Sequence, residues 1–350
     1  MVIDRSIVAA IAAAVLFGIS TPLAKLLVGL TEPLMLSGLL YCGSGIGLAA
    51  VIASRAALRP RGNISIPRGG DWWWLGGAIA AGGVVAPYLL IRGLAATDAA
   101  SASLVLNLEG VLTALLAWFV FKENFDRRIA VGMALIVAGS VLLSLGPESG
   151  SGSALGMPLI AGACLAWAVD NNLTRRVSIH DAALIACAKG LVAGMTSVTL
   201  ALATGTTLPP VGVLVQAGVI GFFGYGLSLT LFVVALRGLG TARTGVYFSL
   251  APFIGALVAI ALGAPVSAAL VFSGVLMAVG VWLHLTERHE HLHRHVAVEH
   301  EHEHRHDQHH RHAHGAEWDG REPHSHVHAH EPLEHSHAHY PDLHHRHDHR

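Results

Sequence analysis

The chain has 350 residues, of which 53% are hydrophobic and 13% charged, and its formal net charge is -1. Soluble domains carry about 25% charged residues, so the composition excludes an ordinary self-solvating globule, and the lack of a basic domain excludes a nucleic-acid binder. Charge is also unevenly placed: residues 287–350 hold 23 of the 25 histidines and 20 of the 45 acidic and basic residues.

The first 286 residues read as a membrane body. A bilayer core about 30 Å thick is crossed by about 20 apolar residues in a helix. Ten stretches near that length begin near residues 6, 33, 72, 99, 127, 154, 181, 211, 242 and 266. The first, Ile7 to Leu30, is too long for a signal-peptide core and is interrupted by Pro22 and Lys25, so it reads as a retained span. Basic residues gather in alternate connections: Arg5; Arg55, Arg59, Arg61 and Arg68; Lys122, Arg127 and Arg128; Arg175 and Arg176; Arg237 and Arg243. The remaining connections hold only Arg92. By the positive-inside rule the N-terminus is cytoplasmic, and an even number of spans returns the C-terminal tail to the same side. Trp72, Trp73 and Trp74 follow the arginine-rich connection, as an interfacial aromatic belt would. Cys42, Cys164 and Cys187 are odd in number and lie in apolar runs, which argues against both a disulfide framework and a cysteine-clustered zinc module.

The halves of this body echo each other. Phe17-Gly18-Ile19-Ser20-Thr21-Pro22-Leu23-Ala24-Lys25 aligns with Trp167-Ala168-Val169-Asp170-Asn171-Asn172-Leu173-Thr174-Arg175, and Arg92-Gly93-Leu94 with Arg237-Gly238-Leu239. GxxxG pairs, Gly43/Gly47 and Gly190/Gly194, fall in the second stretch of each half, where close helix packing is their ordinary use. Five spans per half is an odd number, so the second half enters the membrane upside down. That predicts an all-α integral membrane protein of ten transmembrane helices in two inverted five-helix repeats, with alternating access around a midplane site.

Ionisable side chains at bilayer depth cost at least about 2.5 kcal/mol on insertion scales, so each is a candidate for function. Glu109 lies ten residues into the fourth stretch, and Thr113 shares its helical face. Asp170 opens Asp170-Asn171-Asn172 in the sixth stretch and shares its face with Trp167 and Thr174, while Asn171 sits one heptad above Cys164. Oxygen donors of this kind suit a divalent ion or a proton. Lys189 is too deep in the seventh stretch to snorkel and reads as a counter-charge standing in for a cation, facing either Glu109 or Asp170. Lys25, near an outer end, can snorkel to the interface. The competing reading is that Glu109 and Asp170 only neutralise Lys189 and Lys25 as packing ion pairs.

In the tail, histidine alternates: His289, His291, His293 and His295; His300, His302, His304 and His306; His324, His326, His328 and His330; His335, His337 and His339. Without apolar periodicity the tail is predicted to be disordered in the absence of metal. Imidazole suits nickel, copper, zinc and cobalt. HExxH matches beginning at His289, His300 and His302 are products of this repetition, and Asn63-Ile64-Ser65 is a glycosylation pattern stranded in a cytoplasmic connection. A dispensable extension and a passive metal store remain open readings of the tail.

The five-plus-five plan, the run Leu108-Glu109-Gly110-Val111-Leu112-Thr113-Ala114-Leu115-Leu116-Ala117-Trp118 leading to Lys122-Glu123, and its echo Leu250-Ala251-Pro252-Phe253-Ile254-Gly255-Ala256 resemble the EamA-type drug/metabolite transporters. The resemblance covers residues 6–286 and departs from the family pattern at Gly110, usually Pro, and at Ala264, usually Glu. It implies residues 1–146 and 147–286 as the two EamA-like repeats, with 287–350 as a histidine-rich cytoplasmic tail, and some relatives with such tails are linked to nickel and cobalt resistance. The expected function is therefore a secondary transporter, not an enzyme, in a bacterial inner membrane. It would export nickel or cobalt, then zinc, in exchange for protons, since no GxxxxGK[ST] loop occurs. Glu109, Asp170, Asn171, Lys189 and Thr113 would form the transport site, and the tail histidines would collect metal. The expected partners are the metal ion, protons, the bilayer and a second copy of the chain, with no cofactor. The alternative cargo is a small organic metabolite or drug, with the tail buffering metal.

Overall fold

Inside a bilayer every backbone amide must find its partner within the segment, and the Ala-, Leu- and Gly-rich stretches do so as helices. A computed structural model describes residues 5–58, 67, 69–121, 127–145, 155–177, 180–285, 290–295, 298–304, 324–330 and 333–338. Its helical elements are α1 (Arg5–Leu27), α2 (Pro33–Leu58), α3 (Asp71–Ala78), α4 (Ala86–Ala95), α5 (Ala99–Val105), α6 (Leu108–Phe121) and α7 (Arg127–Leu145). There follow α8 (Gly156–Val177), α9 (Ala182–Ala203), α10 (Val211–Gly221), α11 (Ser228–Phe248), α12 (Ala251–Ala261) and α13 (Ala268–Leu285). A π-helical segment, Ile79–Val85, joins α3 to α4, and a second, Phe222–Leu227, joins α10 to α11.

Among the described residues six helical runs are long and apolar enough to cross a membrane: Arg5–Leu27, Pro33–Ala57, Asp71–Ala95, Ala99–Leu116, Ala182–Ala203 and Val211–Ala235. Ala130–Leu145, Ala251–Ala261 and Ala268–Leu283 are shorter apolar helices. The 22-residue α8 has the length of a span, but its polar Asp170-Asn171-Asn172 run makes it less apolar. One boundary differs from the sequence expectation. Instead of ending before residue 242, α11 continues to Phe248, because Arg237 to Thr244 contains glycine but no proline to stop the helix.

The order of elements recurs. In each half a π segment is followed further along the chain by a two-residue turn that interrupts the helix, Leu106-Asn107 in the first half and Ser249-Leu250 in the second. The π segments and the breaks are each separated by the same interval along the chain.

Packing brings α2 against α9 and α1 against α11. A Cβ added to Gly190 would lie 2.7 Å from Gly45 Cα, so the α2–α9 backbones meet at a distance that only glycine permits. Gly194 packs on Cys42 in the same seam, while Gly43 and Gly47 instead face Gly218 and Phe222. At the start of α3, Asp71 Oδ2 lies 2.9 Å from His180 Nε2, and Arg176 stacks 5.2 Å from the Trp74 ring centroid. Trp73 is 86% exposed, as a ring facing interfacial lipid would be.

Residues 288–340 form a separate unit. Composition predicts disorder there, but the described backbone pairs β1 (Glu290–His295) with β4 (Leu333–Ala338) and β2 (Val298–His304) with β3 (His324–His330), both antiparallel. Histidine at every second residue matches the period of a strand, and in the backbone register His300, His302 and His304 pair with His328, His326 and His324. His289 and His306 lie outside the described residues, as do Asn63-Ile64-Ser65 and Lys122-Glu123.

Candidate transport site

Glu109 is positioned by the break in the fourth apolar stretch. At Leu106-Asn107 the ladder shifts to i→i+3 bonds, with Leu106 N donating to Ser103 O (3.2 Å) and Asn107 N to Leu104 O (3.0 Å). The Cys164 thiol of α8 is directed at the carbonyls of Val105 (3.8 Å) and Leu106 (4.0 Å). Asn107 turns away, donating through Nδ2 to Leu104 O, and Glu109 begins α6 facing α8. Asn171 Nδ2 of α8 then donates to Glu109 Oε1 at 2.8 Å and reaches Thr113 Oγ1 at 3.4 Å. Glu109, Thr113 and Asn171 are thus brought together as one polar group bridging α6 and α8.

Asp170 is held separately. Lys189 Nζ, from α9, donates to both of its carboxylate oxygens at 2.6 and 2.7 Å, and Thr174 Oγ1 donates to Oδ1 at 2.7 Å. The two charged side chains are 3% and 6% exposed, so this is a buried, bidentate ion pair in which each charge offsets the other's desolvation. The question left open by the sequence is answered: Lys189 pairs with Asp170. The Lys25 ammonium, near the end of α1, caps the C-terminal end of α4, donating to Leu94 O and Thr97 O.

The π segment supplies the wall behind Asp170. Its wider turn leaves Gly82 O outside the regular helical ladder, where Tyr41 OH donates at 2.7 Å and Trp167 Nε1 at 3.0 Å. Gly82 itself has no room for a side chain, because a Cβ would fall on the Asp170 carboxylate.

Between these walls lies a cavity of about 70 Å³, lined by Glu109, Asp170, Asn171 and Lys189 and by the rings of Phe17, Tyr41, Trp167, Tyr225, Phe232 and Phe248. The rings are in mutual contact: Phe17 stands edge-on to Trp167 (5.9 Å) and Tyr225 (6.0 Å), and Tyr41 lies 5.3 Å from Tyr225. Phe17 and Trp167, aligned with each other in the sequence, meet at the site. A cavity of about 150 Å³ accepts benzene, so this conformation has room for a small solute or a few waters. Aromatic faces beside carboxylates attract cations through their quadrupoles. Among the described residues no three His, Cys, Asp or Glu side chains converge as a metal centre would. Glu109 and Asp170 share the cavity without sharing a partner. Tyr41, Tyr225, Phe232 and Phe248 were not singled out in the sequence, where the only available signal was their scarcity among Ala, Gly and Leu.

Comparison with known proteins assigns the class. Residues 4–145 match the EamA-like transporter family. An uncharacterized transporter of Methanothermobacter thermautotrophicus is 30% identical over 289 residues, which cover 78% of this chain and 84% of the relative. The Bacillus subtilis transporter YyaM is 24% identical over 205 residues, covering 55% of this chain and 66% of its own. A chain of known crystal structure superposes with a TM-score of 0.60 at 19% identity, covering 80% of this chain and 98% of its own, which is a likeness of fold. The chain belongs to the EamA-like family of transporters and is a multi-pass membrane protein.

Proposed function

We propose that the chain is a secondary active transporter that moves a small organic cation out of the cytoplasm in exchange for protons. The observation that carries this reading is the cavity: two carboxylates and a lysine enclosed by six aromatic side chains. A ring of π faces complements an alkylammonium group, whereas a partly hydrated divalent ion needs several oxygen or nitrogen ligands. In the conformation described, Lys189 occupies the cationic position on Asp170. A cargo ammonium entering beside Glu109 competes for that position. Proton exchange at Glu109, Asp170 or Lys189 then resets the pair, so cargo and proton alternate on the same charges.

Two inverted five-helix repeats, an inner-membrane location and cytoplasmic termini complete the proposal. They are supported by the recurring order of elements and by the distribution of basic residues. A second reading, export of nickel, cobalt or zinc through Glu109 and Asp170, is favoured by one feature, the dense histidine tail. In that reading the tail raises metal concentration at the inner mouth.

Everted vesicles containing the full chain separate the two. Proton-driven uptake of radiolabelled ethanolamine, lost in Glu109→Gln, supports the organic cargo. Uptake of ⁶³Ni²⁺ without ethanolamine uptake would defeat it in favour of metal export.

A further inference from the structure

The Lys189 ammonium has three protons to donate and three acceptors within reach: Asp170 Oδ1 at 2.6 Å, Asp170 Oδ2 at 2.7 Å and Thr174 Oγ1 at 3.2 Å. Thr174 Oγ1 itself donates to Asp170 Oδ1 at 2.7 Å, so the three side chains close a circuit of hydrogen bonds. Thr174 lies one turn along α8 from Asp170 and is 7% exposed. Asp170 and Lys189 line the cavity, whereas Thr174 is not one of its lining residues. It touches both charges without bordering the space that a cargo would fill.

The three bonds of Lys189 differ in what their loss costs in each state. While the ammonium rests on Asp170, the bond to Thr174 is the longest of the three and the least needed. Once a cargo ammonium takes the carboxylate, Lys189 loses both of its short bonds, and a buried charge left without a partner is strongly destabilising. A hydroxyl already in contact with Lys189, and outside the cavity, is the acceptor that stays with it. We infer that Thr174 is the positioning residue of the exchange: its hydroxyl holds the Lys189 ammonium while cargo occupies Asp170. This rests on the proposed competition between cargo and Lys189, and adds to it the group that makes the displacement tolerable. An apolar residue of the same shape at position 174 leaves the resting pair its two short bonds and penalises the cargo-bound state.

The test is proton-driven uptake of radiolabelled ethanolamine into everted vesicles containing the full chain, with initial rates measured against ethanolamine concentration. Thr174→Val keeps the shape and removes the hydroxyl, and Thr174→Ser keeps the hydroxyl. Thr174→Val is expected to raise KM about 10- to 100-fold, the factor carried by one hydrogen bond to a charged group, with Vmax per folded protein close to wild type. Thr174→Ser should return KM to near the wild-type value. A wild-type KM in Thr174→Val, whatever its melting temperature or Vmax, overturns the inference and leaves the cation site standing, because a merely structural bond changes the amount of folded protein and not the affinity for cargo. A KM as high in Thr174→Ser as in Thr174→Val also overturns it, by assigning the effect to packing. If Thr174→Val does not reach the membrane, Thr174→Cys replaces it: a thiol is a weak acceptor, so KM should rise at least about threefold, and an unchanged KM overturns the inference. If the wild-type protein takes up no ethanolamine, the cation-site reading and this inference fall together.

Discussion

Lys189 and Asp170 are side chains that membrane insertion penalises heavily, and each is tolerated because of the other. Removing one partner leaves an uncompensated charge beside six aromatic rings. Lys189→Met is therefore expected to destabilise the protein by about 3–5 kcal/mol, as breaking buried pairs generally does. The double variant Lys189→Met/Asp170→Asn replaces both charges and should recover most of that loss, yet it should transport nothing. Thermal melting in detergent, set beside vesicle transport, tests both parts, and recovery of transport in the double variant would remove Asp170 from the mechanism. Glu109 makes a different prediction, because its contact with Asn171 (2.8 Å) needs only an acceptor oxygen. Glu109→Gln preserves that bond, so folding and melting temperature should stay close to wild type while proton-coupled transport is lost. Thr113→Val should have a milder effect, since Asn171 is 3.4 Å from Thr113 Oγ1.

Asp170, Asn171 and Lys189 lie on the regular helices α8 and α9, but other residues of the cavity sit where helical regularity fails. Glu109 follows the Leu106-Asn107 break, Phe248 immediately precedes the Ser249-Leu250 break, and Gly82 and Tyr225 belong to the two π segments. Gly82 shows why such a segment persists. Its carbonyl bonds Tyr41 and Trp167, which ties α2 and α8 to the wall, and its missing side chain admits Asp170. Gly82→Ala must push the wall away from α8, and the expected result is a protein that still inserts but has lost both the Asp170–Lys189 geometry and transport. Chemical cross-linking between α3 and α8 at unchanged efficiency, together with wild-type transport, would contradict this. Much of this level was legible in the sequence, because span-length apolar runs and basic connections depend on composition over tens of residues. The breaks and π segments were not. They depend on which carbonyls find side-chain partners elsewhere in the chain, such as Cys164 at Val105 O and Trp167 at Gly82 O. The site was half legible for the same reason: Glu109, Asp170 and Lys189 announce themselves by the cost of burying charge. An aromatic ring in an apolar helix has no such signature until its neighbours are known.

At the scale of the whole molecule, a sparsely charged membrane body is joined to a tail that holds most of the chain's histidine, and the two have different chemistry. In the proposed mechanism the body's selectivity is set by the cavity that holds Glu109 and the Asp170–Lys189 pair. The tail's proposed chemistry is metal capture by neutral imidazoles, which ligate metal only when unprotonated. Metal capture by residues 287–350 should thus be complete above pH 7 and be lost as pH falls through about 6.5, the ordinary imidazole range. Histidines are register partners across β2 and β3, so binding should also increase strand content. Calorimetry with Ni²⁺ at pH 7.5 and pH 5.5, on the full chain and on residues 1–286, isolates this behaviour. The full chain should bind several ions at the higher pH and few at the lower, and the shortened chain should bind weakly at both. Ethanolamine transport should be the same in the two proteins if the tail only buffers metal. A truncated protein that binds Ni²⁺ as the full chain does would place the metal chemistry inside the membrane body, and loss of that binding in Glu109→Gln would make this carboxylate a ligand and favour metal as the cargo.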